Sequence, residues 1–239
     1  MKGVILAGGN GTRLRPVTFE IPKPLITIKK KPLINYNLDL LTAAHVDDVK
    51  VIIRPQDDPD YKRWLREYAP HYPSMNIELI LESEPMGTLG YVFHHLQSWI
   101  GKDDVFVVNG DVIHKGVDVK AMLKHHGTIG MPATIALIKV DRPDDYGTAV
   151  LDGHTITEFA EKKKGLPAGL VNAGLYMITN KALKHIAEAG VTGPKYLMFE
   201  KEMFPVLANS KKLGGFVADG GMFYDCGTFE RWEKAINEV

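Results

Sequence analysis

Short apolar runs alternate with longer amphipathic stretches through the first part of the chain. The runs are Val4–Ala7, Val49–Ile53, Ile77–Leu81, Val105–Val108 and Ala133–Ile138. Between them lie Leu33–Ala44, Tyr61–Tyr68, Thr88–Trp99 and Val117–His125, where apolar residues recur at helical spacing. A short unbroken apolar run suits a strand covered on both faces. Strand and helix alternating at this pace predict βαβ units with right-handed crossovers. The expected fold is α/β: a Rossmann-like, doubly wound, mostly parallel mixed sheet with helices on both faces.

The rhythm changes after about residue 140. Tyr146–Leu151 and Thr155–Ala160 flank Asp152-Gly153, a two-residue hairpin signal. Gly169–Ile178 and Leu213–Ala218 read as strands. Helices are expected from Lys181, over Tyr196–Ala208 and over Phe229–Val239. This half adds antiparallel strands to the same sheet and shows no low-complexity linker or repeat.

Composition narrows the class. At 239 residues the chain is long enough for a sizeable core. It is 45% hydrophobic and 24% charged, as ordinary globular proteins are. Lys+Arg and Asp+Glu both number 29, which removes the electrostatic case for generic nucleic-acid or anionic-membrane binding. The one cysteine, Cys226, cannot form an internal disulfide, which suits a reducing compartment. No apolar run approaches the ~18 residues of a membrane span. The apolar N-terminal stretch runs straight into Gly8-Gly9, so it reads as a strand rather than a secretion signal. A cytoplasmic protein with no nucleic-acid or membrane partner is expected.

The richest chemistry follows the first strand: Leu6-Ala7-Gly8-Gly9-Asn10-Gly11-Thr12-Arg13-Leu14-Arg15-Pro16, then Pro22-Lys23-Pro24. Gly8, Gly9 and Gly11 permit positive φ and let backbone N–H groups approach an anion. Arg13 offers a planar fork to phosphate oxygens, Lys23 a point charge, and Thr12 a hydroxyl. Open α/β sheets place ligands at this end of their strands, so a triphosphate cradle is expected. A dinucleotide fingerprint fails because Leu14 stands where its third glycine belongs, and no Lys-Ser or Lys-Thr pair completes a P-loop. The plain alternative is a glycine-rich turn with incidental charges, but turns do not require Thr12-Arg13 or Pro22-Lys23-Pro24.

Two aspartates stand at strand ends. Asp111 follows Val105–Gly110, and Asp225 follows Phe223-Tyr224. Converging carboxylates suit Mg²⁺. Equally, Asp beside Gly commonly caps a turn, and spacing alone leaves both readings open. Glu161-Lys162 opens a charge run that solvation alone explains. Gly147, Asn172 and Gly174 read, on composition, as an ordinary turn and strand end. His94-His95 and His125-His126 read as surface residues of helices, and Cys226 as a small buried filler.

The glycine-rich run with its Pro-Lys-Pro continuation resembles the signature of sugar-1-phosphate nucleotidyltransferases. The resemblance continues through Glu84-Pro85-x-Gly87-Thr88, Asn109-Gly110-Asp111, Tyr146-Gly147, Glu161-Lys162, Asn172-Ala173-Gly174-Leu175-Tyr176 and Asp225-x-Gly227-Thr228. These segments keep the family's order and cover nearly the whole chain. The mannose-1-phosphate guanylyltransferase branch looks nearest. The resemblance implies one GT-A-like catalytic domain over 1–239. Its nucleotide-binding part covers about 1–110 and its sugar-binding part about 111–239, with no C-terminal β-helix.

It also implies roles. Leu6, Ala7, Gly8, Gly9, Gly11, Thr12, Arg13, Lys23, Glu82, Pro85, Gly87, Thr88 and Asp111 would bind the nucleotide. Gly147, Glu161, Lys162, Asn172 and Gly174 would bind the sugar phosphate. Asp111 and Asp225 would hold Mg²⁺ as cofactor, and Arg13, Lys23, Asp111, Lys162 and Asp225 would carry the catalysis. Family members often have Pro after the lysine of the Glu-Lys pair, whereas here Lys163 follows.

The segment Glu82–Gly90 would read the nucleobase, with Gly87 letting the base approach the backbone. Pyrimidine-specific relatives commonly carry Gln where Glu82 stands. An ionised carboxylate only accepts, and guanine offers N1–H and N2–H₂ as two donors. Guanine is therefore expected, read by Glu82 or Glu84. A solvent-facing Glu at a loop start is the plain alternative.

The implied reaction is NTP + sugar 1-phosphate → NDP-sugar + pyrophosphate, with GTP and mannose 1-phosphate or a related manno-sugar favoured. Two alternatives stand beside it. One is a thymidylyl- or uridylyltransferase for glucose 1-phosphate. The other is a non-catalytic nucleotide-sugar sensor, against which the full Arg13, Lys23, Asp111, Lys162 and Asp225 set argues. Homo-oligomers are left open.

Overall fold

A computed structural model of the chain describes residues 1–165, 167–192 and 196–239. In chain order the strands are β1 (Lys2–Leu6), β2 (Thr27–Ile28), β3 (Lys31–Pro32), β4 (Asp48–Ile53), β5 (Asn76–Leu81), β6 (Val105–Asn109), β7 (Val112–Lys115), β8 (Ala133–Val140), β9 (Gly147–Asp152), β10 (Thr155–Glu161), β11 (Gly169–Ile178), β12 (Leu213–Val217) and β13 (Met222–Asp225). The helices are α1 (Val17–Glu20), α2 (Leu33–Ala43), α3 (Asp58–Tyr68), α4 (Gly87–His95), α5 (Gln97–Ile100), α6 (Val119–Ile129), α7 (Asn180–Glu188), α8 (Phe204–Asn209) and α9 (Phe229–Glu238). The α/β class with parallel and antiparallel strands is as expected.

Contacts divide the chain into two compact units. The first comprises Met1–Glu84, Val107–Val119 and Gly221–Val239, the second Pro85–Phe106 and Lys120–Gly220. In the first, β1 pairs in parallel with β4, and β4 with β5. Val4, Ile5, Val49, Val51 and Ile53 of these strands are all fully buried. The unbroken apolar runs therefore mark a sheet covered on both sides.

A second feature of this unit lay outside the sequence expectations. β7 and β13 form an antiparallel ribbon in the register Met222↔Lys115, Phe223↔His114, Tyr224↔Ile113 and Asp225↔Val112. Leu14, Ile26, Ile28, Leu33, Ile113, Tyr224, Cys226 and Ala235 form one buried cluster. That cluster fixes Leu14, next to Arg13, together with both strands of the ribbon.

In the second unit the strand order is β11-β8-β12-β10-β9. β8 and β12 are parallel, and the remaining pairs are antiparallel. The β9–β10 hairpin appears one residue later than its signal: Asp152 pairs with Thr155, leaving Gly153-His154 as the loop, with Gly153 at φ 59°.

Two predicted helices differ. The stretch expected as Thr88–Trp99 is broken into α4 and α5. Tyr196–Ala208 does not begin as a helix: Met198 is extended, a π-helical turn covers Phe199–Met203, and α8 follows. The reason is that the Leu197 peptide is used elsewhere. Its N–H donates to Met86 O (2.9 Å), and its carbonyl accepts from Leu89 N (2.9 Å) and Gly90 N (3.2 Å) at the start of α4. Those are orphan donors of a helix N-terminus, satisfied here by a distant carbonyl.

His126 also departs from expectation. It is buried, with Nδ1 2.7 Å from Thr134 Oγ1. Burial holds its pKa below the ordinary value. His94 and His95 are exposed as expected.

Candidate active site

In the first unit, β1 delivers the chain into the glycine-rich loop. Ala7 is buried and its N–H donates to Ile52 O (2.9 Å). Of the three loop glycines only Gly11 has positive φ, at 59°. Its carbonyl accepts from Thr18 Oγ1 (2.8 Å) and Leu14 N (2.9 Å), and a Cβ there would lie 2.8 Å from Thr18 Cγ2. Gly9 faces open space, and a Cβ on Gly8 would lie 3.1 Å from Glu82 Oε2. Left-handed backbone thus explains Gly11 alone. Gly8 reflects a close approach to a carboxylate. Asn10 is held by Arg54 (2.7 Å), which in turn grips the buried Asp57 through two bonds of 2.7 and 2.8 Å. The Arg54–Asp57 fork was missed by sequence reasoning, and its three-residue spacing gave no signal beyond a helix start. Thr12 and Arg13 are exposed.

The ribbon brings the two aspartates together. Asp225 ends β13 opposite Val112, and Cys226 N donates to Asp111 O (3.2 Å). Gly110 permits this: its N–H donates to Leu6 O (2.9 Å), where a Cβ would also stand only 2.9 Å from that oxygen. Lys23 is 8% exposed, and its Nζ bonds Asp111 Oδ2 while lying 3.8 Å from Asp225 Oδ1. Arg231 Nη1 takes the other oxygen of Asp225 at 2.6 Å. Arg13 Nη2 and the Asp225 carboxylate converge on Gly227, at 2.9 and 2.8 Å from where a Cβ would stand. Two carboxylates and three cationic side chains therefore meet at the end of one ribbon. Arg231 was also missed. It lies six residues past Asp225, and only the turn into α9, capped by Thr228 Oγ1 accepting from Arg231 N (3.3 Å), folds it back.

The donor set fits Mg²⁺. Carboxylates that both reach one ammonium lie within reach of one metal ion, and Mg²⁺ commonly takes one or two carboxylates and fills its shell with phosphate oxygens and water. No group of three or more His, Cys, Asp or Glu side chains arranged for a metal occurs among the described residues. Cys226 is fully buried, and burial pushes its thiol up to about 12, so it is an inert filler as expected. Glu82 is buried rather than solvent-facing, with its N–H donating to Ile53 O (2.8 Å), while Glu84 is exposed.

In the second unit, Gly87 has φ 75°, and a Cβ there would lie 2.3 Å from Leu197 O. The Leu197 carbonyl by itself demands a glycine here. Pro85 is exposed. Thr88 Oγ1 donates to Glu200 Oε2 (3.0 Å) and accepts from Phe199 N (3.0 Å). Gly147 pairs with Glu161 across β9–β10, and a Cβ on it would lie 2.6 Å from Phe159 Cζ and 2.9 Å from Glu161 Oε2. Lys162 turns at φ 51°, donates its N–H to Tyr146 O (3.1 Å), and holds Nζ 3.5 Å from Glu161 Oε1. Lys163, in place of proline, reaches Glu158 at 3.7 Å. Asn172 Oδ1 accepts from Gly174 N (2.9 Å), and Nδ2 donates to Tyr176 OH (3.0 Å). Glu161 with Lys162, and Asn172 with Gly174, are thus neighbours as pairs.

A glycine-rich loop after a first parallel strand, with cations gathered about paired carboxylates, is the equipment of a protein that handles nucleotide phosphates. The chain belongs to the nucleotidyl transferase family, whose sequence model matches residues 2–239. Its relatives include mannose-1-phosphate guanyltransferases of Hypocrea jecorina and Saccharomyces cerevisiae. They are 36% and 35% identical over 225 residues, covering 92% of this chain and 59% and 60% of theirs. The chain therefore spans about three fifths of the length of these relatives. A solved Bacillus anthracis structure, named for glucose-1-phosphate thymidylyltransferase, matches with a TM-score of 0.86 at 23% identity, covering 99% of this chain and 94% of that one. At that identity the likeness shows the fold. No helix among the described residues is long and apolar enough to cross a membrane.

Proposed function

We propose that this chain transfers a nucleotidyl group from an NTP to a sugar 1-phosphate, releasing pyrophosphate, with GTP and mannose 1-phosphate as substrates. The observation that carries this reading is the Lys23 ammonium set between Asp111 and Asp225. Phosphoryl-type transfer asks for positioning and charge stabilisation, not a covalent nucleophile. The buried Cys226 and the carboxylate–cation cluster match that demand. The nucleobase choice is supported by the buried Glu82 carboxylate beside Gly8 and by the guanyltransferase relatives.

Each residue then has one task. The loop Leu6–Thr12 offers backbone N–H groups and a hydroxyl to the triphosphate. Arg13 stabilises charge on the β- and γ-phosphates and on the departing pyrophosphate. Lys23 neutralises the α-phosphate and holds the incoming phosphate near it. Lys162 docks that incoming phosphate, and Glu161, Gly147, Asn172 and Gly174 contact the sugar. Asp111 and Asp225 would hold Mg²⁺, which supplies charge neutralisation to phosphate oxygens when bound.

The test is pyrophosphate release with Mg²⁺, crossing GTP, UTP, dTTP, ATP and CTP with mannose 1-phosphate and glucose 1-phosphate. Release with GTP and mannose 1-phosphate is expected. Release with a pyrimidine triphosphate only would keep the chemistry and overturn the role of Glu82. Nucleotide binding without turnover for any pair would favour a sensor.

A further inference from the structure

Glu200 is 8% exposed and sits in the π-helical turn that precedes α8. Such turns are rare and concentrate at functional sites. Both its oxygens are engaged: Oε2 accepts from Thr88 Oγ1 (3.0 Å) and Oε1 from Tyr176 OH (3.4 Å). The turn itself is anchored at its start, where Glu202 Oε2 accepts from Met198 N (2.6 Å). Burying a carboxylate is costly, and an apolar side chain would fill this space without that cost. Burial indeed raises its pKa, opposed by the bonds from Thr88 and Tyr176, with the Glu161 charge adding to the rise.

The carboxylate fixes the direction of a hydrogen-bond relay. An ionised Glu200 only accepts, so Tyr176 must donate its hydroxyl proton to it. The Tyr176 oxygen is then the acceptor for Asn172 Nδ2 at 3.0 Å. That turns Asn172 Oδ1 toward the N–H of Gly174, 2.9 Å away. Gly174 has φ 72°, and the β8–β11 register breaks between Asn172 and Tyr176. The relay thus ends on the irregular bend that carries Asn172 and Gly174.

We infer that Glu200 is a positioning residue that orients the Asn172 amide and the Gly174 bend through Tyr176, and so sets affinity for the sugar phosphate. The inference rests on the proposed sugar role of Asn172 and Gly174. Glu200 lies twelve positions past Glu188, the last residue of α7, and no motif marked it.

Glu200→Leu fills the space but offers no acceptor, so the Tyr176 and Thr88 hydroxyls both lose the group that takes their protons. Tyr176→Phe cuts the relay and leaves Glu200 in place. The experiment measures pyrophosphate release by the wild type and both variants, varying each substrate in turn, alongside thermal midpoints. The expected result is a rise of about tenfold in KM for the sugar phosphate in both variants, with KM for the NTP within about twofold. Unchanged sugar KM in either variant, or a proportionate rise in both KM values, would overturn the inference. A fall in thermal midpoint without the KM split marks a purely structural carboxylate, also overturning it. Absence of turnover by the wild type with every substrate pair overturns the proposed function and the inference with it. Wild-type turnover with an unmoved sugar KM in the variants removes the inference alone.

Discussion

Asp225 and Arg231 are joined by a 2.6 Å bond from Nη1 to Oδ2, leaving Oδ1 facing Lys23. Arg231 therefore fixes the carboxylate's rotation by holding one of its oxygens. Groups that orient a metal ligand typically matter 10–100-fold in metal affinity. Arg231→Gln is expected to raise the Mg²⁺ concentration for half-maximal turnover by about tenfold, read by Mg²⁺ titration of pyrophosphate release. An unmoved Mg²⁺ midpoint would remove this role.

Arg13 and Asp225 converge on Gly227, and Lys23 bridges both carboxylates. Losing one electrostatic stabiliser costs about 10²-fold or more in kcat. Arg13→Ala, Lys23→Ala and Asp225→Ala should each fall by that amount in steady-state assays. Near-normal turnover in any of them would sink its assignment.

Glu82 is buried, with Oε2 close to the Gly8 backbone. Glu82→Gln keeps the shape and turns a pure acceptor into a donor–acceptor pair. The ratio of kcat/KM for GTP to that for UTP and dTTP should drop by about tenfold or more. A variant that keeps the wild-type ratio would show that the base is read elsewhere.

Gly87 and Gly9 make a contrasting pair. Gly87→Ala combines φ 75° with a Cβ 2.3 Å from the Leu197 carbonyl, whereas a Cβ on Gly9 meets nothing within 4 Å. Denaturant unfolding should show a loss of about 3 kcal/mol for Gly87→Ala. Gly9→Ala should stay within about 0.5 kcal/mol of wild type. Equal effects would contradict this account of the α4 start.

Cys226 should be silent to thiol reagents. With its pKa raised to about 12 by burial, the thiolate fraction at pH 8 is about 10⁻⁴, against about a quarter for an ordinary cysteine. A colorimetric disulfide reagent should find no reactive thiol in the native chain and one in denaturant. Native reactivity should rise with pH toward 12, the direction a raised thiol pKa dictates. Rapid native modification at pH 8 would overturn it.

Local pattern revealed most of the strands, because an apolar run such as Val105–Val108 must be buried on both faces. The pair Asp111 and Asp225 needed the resemblance, since their meeting depends on the short β7–β13 ribbon. Four residues like Met222–Asp225 carry too little periodicity to announce which strand they pair with. Gly87 was singled out for a nucleobase, whereas the close contact that requires glycine there is with the carbonyl of Leu197, far along the chain. Arg231, Arg54, Asp57 and Glu200 were invisible for a related cause. Charged residues near helix starts look solvated until tertiary structure supplies their partners.

The ribbon also imposes an order on synthesis. Its first strand ends at Lys115 and its second begins at Met222, after every residue of the second unit has been made. At ribosomal speeds of ~5–20 residues per second, about 5–20 s separate the two strands. During that interval the nascent chain holds Asp111 and Lys23 without Asp225 or Arg231, and β7 presents an unpaired edge. The unit that carries the glycine-rich loop is therefore completed after the other one, although the loop itself is made before it.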